Sequence, residues 1–207
     1  MAVTKNRTRE EAMAAVAAGV TLLGENRVQE AKAKWVEPPD SATLHLIGHL
    51  QTNKVKYAIK IFNTIQSIDS EHLASAINQR VHKPFSVMVE VNAGKDPTKT
   101  GMFIEDVLPF IASAHQWPHL RIDGILALLP RAEDSSSQES QRIRRLMQEI
   151  VKLWRMCRQE GFPWAPLEEL SMGMTEDWEW AVEEGTTMIR LGTALFGPRP
   201  YPQPKAT

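Results

Sequence analysis

The feature that most constrains this chain is an alternation that runs along its whole length. Short apolar, β-branched runs trade places with longer segments of helical period, and eight such units can be counted. The runs are "MAVTK", "TLLGEN", "TLHLIG", "NTIQSID", "FSVMVEVNAG", "RIDGILALLP", "LEELSMGM" and "TMIRLGTALFG". The first helical pattern covers about residues 9–18 and stops at Gly19. Ser70 reads as the N-cap of "EHLASAINQRVHK", and Pro109 falls in the first turns of "IEDVLPFIASAHQW". The most regular helix follows the serine-rich "EDSSSQES", where Ile143, Leu146, Met147, Ile150, Val151, Leu153, Trp154 and Cys157 fall on one apolar stripe.

Eight β/α units in 207 residues match the count of a closed parallel barrel. A doubly wound open sheet has fewer strands and often a G-x-G-x-x-G turn after the first, and this chain has none. The runs are apolar on both faces, as a parallel sheet covered by helices requires. The expected fold is therefore α/β, a single (β/α)8 TIM-type barrel over residues 1–197. Its first strand is short with no helix before it, and a proline-rich tail follows over residues 198–207.

Composition enters mainly to exclude. A formal net charge of -1 gives no basic field for nucleic acid or an anionic membrane. No apolar run approaches the roughly 18 residues that cross a bilayer, and the start has no signal-peptide pattern, so the expected location is cytoplasmic. The single cysteine, Cys157, excludes an internal disulfide framework and a Cys-based zinc site, and its place in the stripe assigns it to packing. The six histidines form no H-x-x-x-H pair on one helix, and neither a Walker loop nor a G-x-S-x-G elbow is present.

In such a barrel, chemistry gathers at the C-terminal ends of the strands. Those ends offer Lys5, then Gly24-Glu25-Asn26, Gly48-His49, Asp69, Asn92-Ala93-Gly94, Pro130-Arg131, Ser171 to Thr175, and Arg190 to Thr193. "SMGMT" and "RLGT" bring small hydroxyls, glycines and a cation to the place where barrels frequently hold phosphate. The competing reading makes Thr175 the N-cap of the helix that follows, with Glu176 and Asp177 complementing its dipole. Lys5 shares that face. A partly enclosed lysine amine has a lowered pKa and attacks aldehydes, and an aldehyde that carries a phosphate is pyridoxal 5'-phosphate (PLP).

The blocks "AVTK", "GENRVQEA", "LHLIGHLQTNKVK", "VNAGKDPTKTGM", "GILALLP" and "LSMGMTEDWEWAVEEGTTMIRLGTALFG" resemble the pyridoxal phosphate homeostasis protein family. These are single-domain relatives of the alanine racemase barrel. The resemblance implies PLP held as a Schiff base on Lys5 and Arg190 facing the pyridine nitrogen. It implies Gly192, Thr193 and Thr175 at the phosphate with Ser171 nearby, and Asn26 and His49 along the ring. A permanent cation at the pyridine nitrogen disfavours its protonation and makes the ring a poorer electron sink, which leaves racemisation or simple carriage. Racemases of this barrel take a second base, a tyrosine, from an added domain, and this chain has only Tyr57 and Tyr201. The expected role is intracellular PLP (vitamin B6) homeostasis and amino-acid balance by a monomeric carrier, with PLP-dependent apo-enzymes as recipients. The alternative is a weak PLP-dependent amino-acid racemase. A third reading is an interaction protein working through the tail or an exposed Trp178 or Trp180.

Overall fold

The computed structural model describes residues 1–130 and 137–198. Seven strands form one parallel sheet in sequence order: β1 (Ala2–Val3), β2 (Leu22–Glu25), β3 (Thr43–Leu46), β4 (Thr64–Ile68), β5 (Phe85–Asn92), β6 (Leu120–Leu128) and β7 (Glu169–Ser171). The helices between them are α1 (Arg9–Ala17), α2 (Val28–Lys34), α3 (Val55–Ile61), α4 (Glu71–Asn78), α5 (Ile104–Ser113), α6 (Ser137–Gln159) and α7 (Trp178–Glu184). A short α8 (Thr193–Phe196) follows. An unbroken order of parallel neighbours is what repeated β/α crossovers of one hand produce.

The local reasons for these elements are legible residue by residue. Thr8 and Glu11 close a capping box at the start of α1, with the Thr8 hydroxyl accepting from Glu11 N and the Glu11 carboxylate accepting from Thr8 N. Ser70 Oγ accepts from Leu73 N at 3.3 Å and so caps α4. The α6 stripe is buried as expected except for Leu146, which is half-buried against the core, and burial pushes the Cys157 thiol up to about 11. Pro109 lies past the first turn of α5, so the Glu105 carbonyl lacks the usual i+4 donor. Trp178 and Trp180, expected to be exposed, are half-buried, and Trp180 packs against the core.

The eighth run departs from expectation. Its segment Met188 to Leu191 forms isolated parallel bridges, Ser171 with Met188 and Ala2 with Leu191, and "TALF" is helical. Its backbone nonetheless bonds to both edges of the sheet. Met172 N donates to Met188 O at 2.9 Å and Arg190 N to Gly173 O at 3.0 Å, while Val3 N donates to Leu191 O at 2.8 Å. The pairing stays discontinuous because β1 is only two residues long and offers a single rung. Arg131 and the rest of "RAEDSS", Tyr201 and the tail beyond Pro198 lie outside the described residues.

The sheet's core is tight where strands meet, and Gly124 marks the limit. It pairs with Met88 and Glu169, and a Cβ there would sit 2.1 Å from the Glu169 carbonyl oxygen. Backbone cannot yield as a flexible side chain can. Gly124→Ala is expected to lower stability by about 3 kcal/mol or to split β6 from β7, read by urea denaturation and by amide exchange of Leu170 and Ser171.

Candidate functional site

The site is best followed around the C-terminal ends of the strands. Register pairs Ala2 with Leu23 and Val3 with Gly24, which brings Thr4 beside Glu25 and Lys5 beside Asn26. Leu191 bridges Ala2 on the other side, so Gly192 and Thr193 come next to the segment that carries Lys5. The Lys5 backbone is held from both flanks. Thr4 N donates to Gly24 O at 2.9 Å, and Asn6, at a positive φ of 58°, donates its N–H to Glu30 Oε1.

Beneath Lys5 lies a buried carboxylate. Glu25 Oε1 accepts from Thr4 Oγ1 at 2.7 Å, from Lys34 Nζ at 2.9 Å and from Trp35 Nε1 at 3.0 Å. Lys34 Nζ also donates to Thr4 O at 2.6 Å. With Glu25 at 0% exposure, this ion pair fixes the turn that presents Lys5. The next strand end closes in tightly, because a Cβ on Gly48 would meet Asn26 O at 2.3 Å. Asn26 Oδ1 is buried without a hydrogen-bond partner, an acceptor awaiting a donor. His49 is exposed beside it and pairs through Nδ1 with Asp69 Oδ2 at 3.2 Å.

On the neighbouring segment, Arg190 is 5% exposed, and two of its N–H groups are held: Nη1 donates to Ser171 Oγ at 2.9 Å and Nη2 to Ala127 O at 3.0 Å. Burial lowers its pKa to about 10 while Asp177 and Glu90 hold it up, so it stays cationic at neutral pH. Ser171 is therefore spoken for by Arg190. Thr175 sits in the turn before α7, whose N-cap position belongs to Asp177, and Thr175 Oγ1 instead accepts from Ala194 N of α8 at 3.4 Å. Thr193, the first residue of α8, is exposed next to it. Of the residues expected from sequence, Lys5, Asn26, Thr175, Gly192 and Thr193 lie on adjoining strand ends, Arg190 and Ser171 form one buried pair, and His49 stands at the rim.

Sequence reasoning missed Glu90, Gln66 and the Glu25 cluster. Glu90 is 2% exposed on β5, and Thr100 Oγ1 lies 3.2 and 3.3 Å from its two oxygens. Burial raises its pKa to about 7; Thr100 and Arg190 oppose that rise and Asp69 adds to it. Gln66 Nε2 lies 2.8 Å from His45 Nδ1, and burial lowers the His45 pKa to about 4, so the imidazole is neutral and accepts at Nδ1. The signal available was a polar residue inside a buried strand, alone in "VEV" and beside Thr64 and Ser67 in "TIQSI". A cavity of about 370 Å³ lined by Thr21, Thr43, His45, Thr64 and Glu169 opens at the opposite, N-terminal strand ends, away from Lys5.

Residues 1–200 match the family model described as alanine racemase, N-terminal domain. The pyridoxal phosphate homeostasis protein of Pasteurella multocida (strain Pm70) is 33% identical over 207 residues, covering 97% of this chain and 86% of that protein. The chain belongs to the pyridoxal phosphate homeostasis protein family. Its counterpart from Aquifex aeolicus (strain VF5) is 35% identical over 189 residues, covering 88% of this chain and 79% of the relative. Among solved structures of family members, PipY of Synechococcus elongatus PCC7942 with PLP bound is 34% identical with a TM-score of 0.81, covering 95% of this chain and 91% of that one. An alanine racemase of Clostridium difficile 630 shares the fold at 16% identity and a TM-score of 0.78, and this chain spans 53% of its length. The architecture is thus alanine racemase-like, a seven-strand parallel sheet with its helices. Among the described residues no helix is long and apolar enough to cross a membrane.

Two outcomes follow from the buried charges. Lys34→Met is expected to cost about 3–5 kcal/mol by stranding the Glu25 carboxylate, and Glu25→Gln added to it should restore part of the loss in a double-mutant denaturation cycle. A carboxyl whose pKa is raised on folding holds its proton more tightly in the folded state. Its stabilisation is complete below the ordinary value of 4.5 and is lost as pH rises toward about 7. Glu90→Gln should therefore gain about 3 kcal/mol relative to the parent between pH 5 and pH 8, measured by denaturation at both.

Proposed function

We propose that this chain is a PLP-binding protein of intracellular vitamin B6 homeostasis and amino-acid balance, holding the cofactor as a Schiff base on Lys5. The observation that carries this reading is the register that sets Lys5 between Asn26 on one side and Gly192 on the other, with Arg190 fixed behind them. The family membership supports the cofactor, since the relatives are named for pyridoxal phosphate homeostasis and the PipY structure contains PLP.

The donor set fits the group. Lys5 supplies an amine at a half-buried strand end, Asn26 Oδ1 is a buried acceptor without a partner, and the Thr175 and Thr193 hydroxyls, with Gly192 between strand end and α8, would hold the phosphate. PLP supplies an aldehyde that captures an amine and a ring that can accept electrons. The chain's residues temper the second property. Arg190 stays cationic and cannot accept a proton from a ring nitrogen, while Ser171 and the Ala127 carbonyl hold its guanidinium in place. Ser171 then serves the site through Arg190. His49 and Asp69 form the outer wall beside Asn26.

Tyr57 is exposed on α3, its ring flanked by the Lys32 and Lys56 ammonium groups at 4.9 Å each, on the outer surface. A proton-transferring tyrosine on the face opposite Lys5 is thus not supplied by Tyr57, which favours carriage over racemisation. In this reading residues 1–197 make one closed eight-stranded barrel, with the Met188 to Leu191 segment as its eighth stave and residues 198–207 as a tail. The carrier is a cytoplasmic monomer that yields its cofactor to apo-enzymes.

Borohydride trapping after incubation with PLP, followed by peptide mass spectrometry, tests the assignment. The expected label is on Lys5, with loss of the visible-edge absorbance in Lys5→Ala. A label on another residue, or no uptake, overturns the reading. Conversion of L- to D-alanine that Lys5→Ala abolishes would replace carriage by racemisation.

A further inference from the structure

We propose that Glu90 is a positioning residue whose proton sets how much of the Arg190 charge the barrel mouth offers to an anionic ligand. The inference rests on the cofactor reading above and deepens it with a control element.

The sheet register places the two groups together. Glu90 pairs with Leu126, Leu126 pairs with Ser171, and Ser171 bridges Met188, two positions before Arg190. Laterally paired residues of a parallel sheet point to the same face, and residues two apart do so along a strand. Glu90, Ser171 and Arg190 therefore share one interior surface, and the Arg190 guanidinium reaches back across it to Ser171 Oγ and Ala127 O. On the other flank Ile68 pairs with Val89, which sets Asp69 beside Glu90.

The groups facing Glu90 can be named from every side. From the end of β4 comes Asp69, with His49 behind it at 3.2 Å. The closing segment contributes Arg190, whose other charged neighbours are Asp177 and the Met1 amino group. The loop after β5 adds Thr100, whose hydroxyl reaches both carboxyl oxygens, and β6 presents the uncharged Leu126. A carboxyl so enclosed, beside another carboxylate, holds its proton near neutrality.

The two protonation states then differ in what Arg190 can do. Protonated Glu90 is a neutral hydrogen-bonding partner of Thr100, and among the described residues Asp177 is then the carboxylate that offsets Arg190. Ionised Glu90 places a second negative charge against the same guanidinium in a poorly solvated interior. A phosphorylated ligand at the strand ends then meets a weaker positive potential.

The test uses 4'-deoxypyridoxine 5'-phosphate, which keeps the ring and phosphate but has no aldehyde, so its binding does not depend on amine chemistry at Lys5. Calorimetric titration of the parent, Glu90→Gln and Glu90→Asp from pH 5.5 to 8.5, with PLP in parallel, cancels the ligand's own ionisation when proteins are compared at one pH. The ratio of parent Kd to Glu90→Gln Kd should rise from near one at the acid end to about ten at the alkaline end. Glu90→Asp should keep the pH dependence of the parent. In the ligand-free protein, infrared difference spectra should show a protonated carboxylic acid band lost across neutrality and missing from Glu90→Gln. A flat ratio with binding intact, or no such band at pH 6, overturns the inference alone. Failure of every form to bind either compound at every pH overturns the cofactor reading and this inference with it.

Discussion

A guanidinium with almost no water around it is the interaction on which the rest of this structure depends. Arg190 lies on the segment that joins the two edges of the sheet, and its two terminal nitrogens donate to β6 and β7. Removing a cation from water is costly unless its donors are satisfied and countercharges stand near. Here two N–H groups tie β6 and β7 to the Met188 to Leu191 segment, and the countercharges are Asp177 and Glu90. One residue therefore both ties the Met188 to Leu191 segment to the sheet and shapes the electrostatics beside it.

The Glu25 cluster does for the segment after β1 what Arg190 does for the neighbouring Met188 to Leu191 segment. A short β1 has little pairing of its own, with only two residues in register with β2. The Thr4, Lys34 and Trp35 donors converging on Glu25 replace the missing ladder with side-chain bonds, three of them to one oxygen. Arg7 extends this fastening, stacking its guanidinium over the Phe196 ring at 5.6 Å and donating to the Gly197 carbonyl. The segment that carries Lys5 is thus anchored by charge and by an aromatic ring more than by strand pairing.

Most of the fold could be read from the alternation of apolar runs, because burial on both faces leaves a strand little choice of composition. The eighth run could not, since a short partner strand and an Ala-Leu-Phe stretch after Gly192 leave it as bridges and a turn of helix. The strand-end residues were legible for the same reason the strands were: once the runs are placed, Lys5, Asn26 and Gly192 fall at their ends. Glu90 and Gln66 were not, because a polar residue within a buried strand shows neither its face nor its partner. Ser171 was legible as a polar residue at a strand end, yet only geometry reveals that Arg190 occupies it. The N-cap of α7 fell to Asp177 and left Thr175 to α8, a distinction that depends on where one turn of backbone begins.

The pairing of Met1 and Val3 with the Ile189 to Leu191 stretch joins residues as much as 190 positions apart, since Leu191 N donates to Met1 O. During synthesis, the first strand leaves the ribosome with its β2 partner following soon after, but its other neighbour emerges far later. Contacts of such sequence separation form late, after the loop-closure entropy of all the intervening residues has been overcome. Until the Met188 to Leu191 segment is made, β1 and β7 each leave an edge with its amides unpaired. Pairing across this seam is in this sense a report that translation has passed Leu191.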